Sequence, residues 1–287
     1  LTTVAGIPFY QGDTGSIYTH DVSGTDSTAQ YNSAYGLTAL DAITTGDNNS
    51  AFGYGALGAN NTGARNTAVG YQALLTNAAT SGNTAVGKDA LKVSVADYNT
   101  AVGDGALAAN TTGASNVALG RLALTANTTG TRNIAIGDSA YDASDTENDN
   151  MAIGHNAMTT NTAGGTNNVA IGNYSMDAHT SGDSNTAVGV NTLTTNTTGS
   201  NNTTVGHNAL YSNSTGDSNI AIGVSALAAN LASSNIAIGV NAATANTTGT
   251  RNIAIGHAAY DASDTEDDNL AIGHQAMTTN TAGGTRN

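Results

Sequence analysis

The sequence predicts an all-β fold in which short parallel strands stack coil upon coil as a β-solenoid. Two observations carry this. The pattern Asn-x-Ala-(Val/Ile)-Gly-x-x-Ala-Leu recurs in fifteen coils, with substitutions such as Tyr35 and Phe52 for Val/Ile and Met158 and Tyr141 for Leu. Its central glycines, from Gly36 to Gly273, fall 17 residues apart except for two steps of 16 and one of 18. A period this short is not a domain, because repeats near 20 residues bury their apolar faces only by stacking on their neighbours. In addition, residues 126–168 return nearly unchanged as residues 245–287, an offset of 119 residues or seven coils, as duplication of a seven-coil block would leave them.

In chain order, residues 1–31 stand outside the repeat and contain Phe9, Tyr10, Tyr18 and Tyr31. They read as a cap or connector that covers the exposed edge of the first coil. Residues 32–287 form the repeat domain. Each coil opens on an asparagine, among them Asn66, Asn133, Asn168 and Asn252, and a short strand follows. Its first and third residues (Val69, Ile136, Ile153 and Ile222 are third) share one face at period two, with Ala and Gly on the other. A second strand is placed on the Ala-Leu pairs, such as Ala73-Leu74, Ala106-Leu107 and Ala226-Leu227. Turns after the glycine (Gly70, Gly137, Gly172, Gly256) and through Asn-Thr-Thr-Gly at 127–130, 196–199 and 246–249 complete the coil. Asn and Gly suit such turns because they accept left-handed backbone angles. A helical reading fails, since no apolar stripe at i, i+3, i+4, i+7 survives the intervening Thr, Asn and Gly.

Fifteen coils rising about 4.8 Å each would make a rod on the order of 70 Å long. One Val or Ile and one Leu per coil leave a thin core. The small Ala/Gly face is therefore expected to pack against neighbouring chains, with stability only as an oligomer. The chain opens on Leu1 and stops at Asn287, where a sixteenth coil would begin, and so reads as a piece of a longer protein.

Composition narrows the function. Seven Lys+Arg against 21 Asp+Glu give a net charge of −14 without a basic patch, which argues against a nucleic-acid partner. No apolar run approaches the roughly 18 residues of a membrane span. Cysteine is absent, so the sequence says nothing about redox compartment. Disorder does not hold Ala and Val/Ile in phase over fifteen coils.

Segments such as Asn133-Ile134-Ala135-Ile136-Gly137, Asn168-Val169-Ala170-Ile171-Gly172 and Asn252-Ile253-Ala254-Ile255-Gly256 resemble the YadA-like head repeats of trimeric autotransporter adhesins. Asn66-Thr67-Ala68-Val69-Gly70-Tyr71-Gln72-Ala73-Leu74 is similar to repeats of phage tail-fibre proteins. The resemblance covers residues 32–287. It implies a left-handed parallel β-roll assembled as an intertwined homotrimer, acting as a non-enzymatic adhesive head or fibre shaft outside the cell or on a virion, with a cell-surface or glycan receptor. The family's commonest coil is shorter, near 14 residues, and the extra residues here fall in the Thr/Asn/Gly turn, so those loops should project further. The alternatives are an extracellular structural filament decorated with glycans, and an ice-binding solenoid. Ice binding ranks lower because the threonines, such as Thr194, Thr195, Thr197 and Thr198, sit mainly in Gly-containing turns.

Candidate sites are few. Gly53-Tyr54-Gly55-Ala56-Leu57-Gly58 spells a dinucleotide fingerprint, but the match is the repeat itself and lacks the βαβ context, so no cofactor is expected. Two acidic turns hold Asp142, Asp145, Glu147 and Asp149, and then Asp261, Asp264, Glu266, Asp267 and Asp268. They match no calcium-binding order and read as solvated turns, with a metal site the lesser reading. His155, His207, His257 and His274 each follow a coil glycine, with surface or interface hydrogen bonding favoured over an ion shared about a trimer axis. Sequons with acceptors at Asn60 (in Asn60-Asn61-Thr62), Asn110, Asn127, Asn196, Asn213 and Asn246 come mostly from the Asn-Thr-Thr-Gly turn. They mean nothing in a bacterial or phage protein and would place glycans in a row along the rod in a glycosylating host. No catalytic arrangement is legible.

Overall fold

A computed structural model of the chain describes residues 2–4, 7–11, 16–19, 28–162, 164–261 and 265–278. It is all-β, a β-solenoid with one coil per repeat, and it divides into two compact units, Leu1–Thr146 and Glu147–Asn287. In the first unit β1 (Thr2–Val4) and β2 (Ile7–Gln11) form an antiparallel pair, and β2 lies antiparallel to β3 (Ile17–Tyr18). From β3 onward every pairing in this unit is parallel. The strands are β4 (Ser33–Tyr35), β5 (Ser50–Phe52), β6 (Thr67–Val69), β7 (Thr84–Val86), β8 (Thr100–Val102), β9 (Val117–Leu119) and β10 (Ile134–Ile136). The second unit is a parallel stack of β11 (Met151–Ile153), β12 (Val169–Ile171), β13 (Thr186–Val188), β14 (Thr203–Val205), β15 (Ile220–Ile222), β16 (Ile236–Ile238), β17 (Ile253–Ile255) and β18 (Leu270–Ile272). Pairing is in register, Ala facing Ala from coil to coil, as in Ala68↔Ala85 and Ala221↔Ala237.

Each coil has one three-residue strand, and the second strand expected at the Ala-Leu pair is not one. That segment is a run of turns in which the sixth and eighth residues after the coil asparagine take left-handed angles, for example Gln72 (φ 54) and Leu74 (φ 53). The residue before the asparagine does the same, as at Arg65 (φ 58) and Ser115 (φ 60). Regular hydrogen bonding to the next coil persists through these turns, with Leu107 N–H donating to the Ala123 carbonyl at 3.0 Å and Leu210 N–H to that of Ala226 at 2.9 Å. The period alone could not separate a stacked strand from a stacked left-handed turn, since both repeat once per coil.

The core also inverts the expectation. The middle strand residue, normally Ala, is buried, and so are the Ala and Leu that follow the glycine: Ala101, Ala106 and Leu107 in one coil, Ala221, Ala226 and Leu227 in another. Val and Ile face outward instead. The interior is so narrow that an alanine fills the gap between strand and opposite turn, and the backbone that approaches the central glycine belongs to the next coil of the same chain. At Gly206 (φ +134) an added Cβ would lie 2.5 Å from the carbonyl oxygen of Gly223. Positive φ and close approach thus both require glycine at Gly70 in the first unit and at Gly172 and Gly256 in the second, and Gly137 shares the positive φ.

Two columns of buried asparagine complete the core. The coil asparagine is interior rather than a turn former. Asn185 accepts the Asn202 N–H on Oδ1 at 3.0 Å, and its Nδ2 donates across the coil to the Gly199 carbonyl at 2.8 Å. Asn66, Asn168 and Asn252 do likewise through the carbonyls of Thr80, Gly182 and Glu266, and Asn133 N–H donates to Asn116 Oδ1. The second column, eleven residues on, holds Asn110, Asn127, Asn196, Asn213 and Asn246, each donating to the carbonyl three residues later. The Nδ2 groups of these asparagines are paired in the low-dielectric interior, which stabilises a polar core, while Oδ1 of Asn60, Asn127 and Asn246 in the second column accepts no hydrogen bond among the described residues.

Candidate interaction surface

In each strand the first and third residues project outward while the second points in, and in-register pairing lines them up as two columns. In the first unit the outer column begins with aromatics: Tyr35 and Phe52 stack with ring centroids 6.3 Å apart. In the second unit it is aliphatic, with Val205, Ile222, Ile238 and Ile272 exposed. A parallel sheet is ordinarily covered on both faces, so an uncovered row of Val and Ile is a feature to be explained.

A third column, fifth after the coil asparagine, borders this face. In the first unit it holds Tyr54 and Tyr71, stacked at 5.4 Å, then Lys88, Asp104, Arg121 and Asp138. Arg121 Nε lies 2.9 Å from Asp138 Oδ1, and Lys88 Nζ lies 3.9 Å from Asp104 and 2.9 Å from Asp89. The Asp89 carboxyl is held below its ordinary range, chiefly by its hydrogen bond with Lys88, and Lys88 is raised by the same bond. In the second unit the column carries His155, Asn173, Val190, His207, Val224, Val240, His257 and His274. His155 meets Tyr174 edge-on at 5.3 Å, and His257 and His274 stack on adjacent coils at 5.2 Å.

No family model matches the chain, and no curated protein matches it.

The acidic turns are not brought together as a metal site; among the described residues no three His, Asp or Glu are grouped to hold an ion. Asp142 and Asp145 belong to the first unit, where Asp145 accepts the Thr128 hydroxyl. Glu147 and Asp149 belong to the second; Glu147 is buried and its Oε1 accepts the Gly164 N–H at 3.1 Å, while Asp149 is an exposed left-handed turn residue (φ 61). Glu266 is buried, with the Thr265 N–H directed to its carboxylate, Asp268 is bound by Arg251, and Asp264 lies outside the described residues. Asp267 accepts both the N–H and the hydroxyl of Thr250, which pulls its carboxyl below the ordinary value. Glu147 and Glu266 stand three residues before a coil asparagine, where most coils have glycine; both are buried, and the Glu266 carbonyl accepts the Asn252 amide as the glycine carbonyls do in other coils. The fingerprint at Gly53–Gly58 is the exit of β5 and the turn after it, with Gly55 in a left-handed conformation (φ 65).

The sequon acceptors are corrected as well. Asn60, Asn110 and Asn127 in the first unit and Asn196, Asn213 and Asn246 in the second line the second interior column of their unit and expose no surface, so these acceptors offer no glycan row on the folded chain. His179, which belongs to no motif of the sequence, occupies that column. Its Nε2 lies 2.8 Å from the Gly182 carbonyl and its Nδ1 lies 3.1 Å from Asn196 Nδ2. Since the amide can only donate, Nδ1 accepts and Nε2 carries the hydrogen, which makes this a neutral imidazole. Burial pushes its pKa below the ordinary 6.5, against the opposing pull of the Gly182 carbonyl and Asp183. Its signal in the sequence was its place eleven residues after Asn168, where other coils have Asn.

Proposed function

We propose that the chain is a non-enzymatic, adhesive or structural fibre segment, a left-handed β-roll assembled as a homotrimer through its strand face, of the kind used outside the cell or on a virion for attachment. The uncovered aliphatic row is the observation that carries this. Removing a Val or Ile side chain from water contributes about 1–2 kcal/mol, so a row repeated over eight coils provides a large driving force for association. Resemblance to adhesin-head and tail-fibre repeats favours three chains, and three chains holding weak receptor contacts together add avidity. The −14 charge discourages unspecific adsorption to anionic surfaces.

Sedimentation equilibrium of the full chain tests the assembly. A trimer at micromolar concentration is expected, and Ile222→Asp with Ile238→Asp should yield monomers that keep their β-type circular dichroism, because both side chains are exposed. A parent chain that is monomeric at micromolar concentration would rule the assembly out. Attachment to cells or glycan arrays should fall at least tenfold in the same variant, through loss of avidity.

One observation favours a second reading. Thr67, Thr84 and Thr100 stand in register on β6, β7 and β8 beside Val69, Val86 and Val102, a short Thr-x-Val array. This patch is the place where ice binding would act, and thermal hysteresis absent from the parent chain would remove that reading.

A further inference from the structure

We propose that His257 and His274 form a two-imidazole chelate for a borderline transition-metal dication such as Cu²⁺, Ni²⁺ or Zn²⁺. The two residues occupy equivalent positions on successive coils, directly after Gly256 and Gly273. Their coils are locked in register by Ile255↔Ile272 and by the Gln275 N–H donating to the His257 carbonyl at 2.9 Å. The rings are exposed, stand 5.2 Å apart at an interplanar angle of 18°, and have no hydrogen-bonding or ionic partner among the described residues. Imidazole nitrogens bind such ions at about 2.0–2.1 Å, so side-chain rotation alone brings one nitrogen of each ring onto a shared ion. Water fills the remaining coordination positions. Imidazole donors without a carboxylate select Cu, Ni and Zn over Mg or Ca, with Cu²⁺ tightest.

The rest of the column supplies internal contrasts. His155 packs against Tyr174, and His207 stands alone between Val190 and Val224. The duplicated block sharpens the point: residues 126–168 and 245–287 differ at six positions, and one of them is Asp138 in the first copy against His257 in the second. Asp138 pairs with Arg121, whose counterpart 119 residues on is Val240. The second copy has therefore exchanged an ion pair for a valine and an unpartnered imidazole beside a second imidazole. This assignment needs no neighbouring chain and is independent of the proposed assembly.

Isothermal titration of the full chain with Cu²⁺, Ni²⁺ or Zn²⁺ chloride in metal-free buffer tests it. One ion per chain is expected, with Cu²⁺ tightest and a two-nitrogen signature in its electron paramagnetic resonance spectrum. His274→Gln should weaken binding at least tenfold, and so should His257→Asp, which restores the residue that the first copy already accommodates. His207→Gln should change it less than twofold. Binding that survives both variants, that falls equally with His207→Gln, or that has a stoichiometry of one ion per three chains would overturn the chelate. Unfolding midpoints of the variants without metal should match the parent, which separates lost ligands from lost fold.

Discussion

At the residue scale, the position eight residues after the coil asparagine, most often leucine, combines burial with an unfavourable backbone. Leu107 and Leu210 have φ of 51° and are buried. A left-handed L-residue costs about 1–2 kcal/mol, and burying a leucine contributes about 1.5–3 kcal/mol, so burial wins and glycine is not used there. A β-branched side chain adds crowding at Cβ to the same φ. The column accordingly contains Leu, Met, Tyr and Ala but no Val, Ile or Thr. Leu210→Ile should cost about 2–3 kcal/mol in chemical denaturation although volume is conserved, whereas Leu210→Met should cost less than about 1.5 kcal/mol. Equal effects of the two would show that backbone angle is not what selects this residue.

His179 belongs to the same scale. Its folded pKa lies below 6.5, so the unfolded chain binds the proton first as pH falls. Stability contributed by the neutral ring is complete above pH 6.5 and is lost progressively below it, until the folded-state pKa is reached. Protonation would also turn Nδ1 into a donor facing the Asn196 amide donor. Urea denaturation at pH 7.5 and 5.5 should show this loss, and His179→Asn, which restores the residue common to the column, should flatten it. An unchanged pH slope in that variant would assign the loss to other groups.

At the scale of the element, a coil is held by polar groups more than by its small hydrophobes. Replacing Asn185 by Ala would strand the Asn202 N–H in the interior and leave the Gly199 carbonyl to the Asn196 amide alone, at about 1–3 kcal/mol for the unsatisfied N–H. Asn185→Asp should be worse, since it sets a carboxylate against the Gly199 carbonyl and Asn168 Oδ1. Thermal unfolding checks both, and an aspartate variant as stable as the parent would contradict the hydrogen-bond directions. This is also where reading from sequence fell short. An asparagine kept for left-handed angles would exchange with Gly or Asp, but the second column exchanges with Ser94, Ser144, Ile43 and His179, all of them buried. That substitution pattern marks an interior, and it was legible in the repeat. The single strand per coil was not, because Ala-Leu alternation suits a buried strand and a stacked left-handed turn equally well.

At the scale of the molecule, stability of each unit accumulates by nearest-neighbour stacking, so a lesion in one coil is felt by the coils beside it. The inward sequons have a consequence for expression. A glycan on Asn127 or Asn196 cannot be accommodated in a column that exposes nothing. Folded protein from a glycosylating host should therefore carry no glycan at these asparagines by intact mass, and modified chains should appear only in misfolded material. A folded, fully glycosylated product would show that the column can open.

The sequence by itself determined the coil, its length and its parallel register, because a 17-residue phase held over fifteen repeats has no other compact solution, and it placed Val and Ile together on one strand face. Only the tertiary structure decided which face is inside. Period-two alternation separates two faces without naming the buried one, and the larger hydrophobes were the natural choice for the core. The coil closes too tightly for them. Alanine, leucine and two paired asparagines fill the space between strand and turn, and the Val/Ile row is left outside, free for a partner.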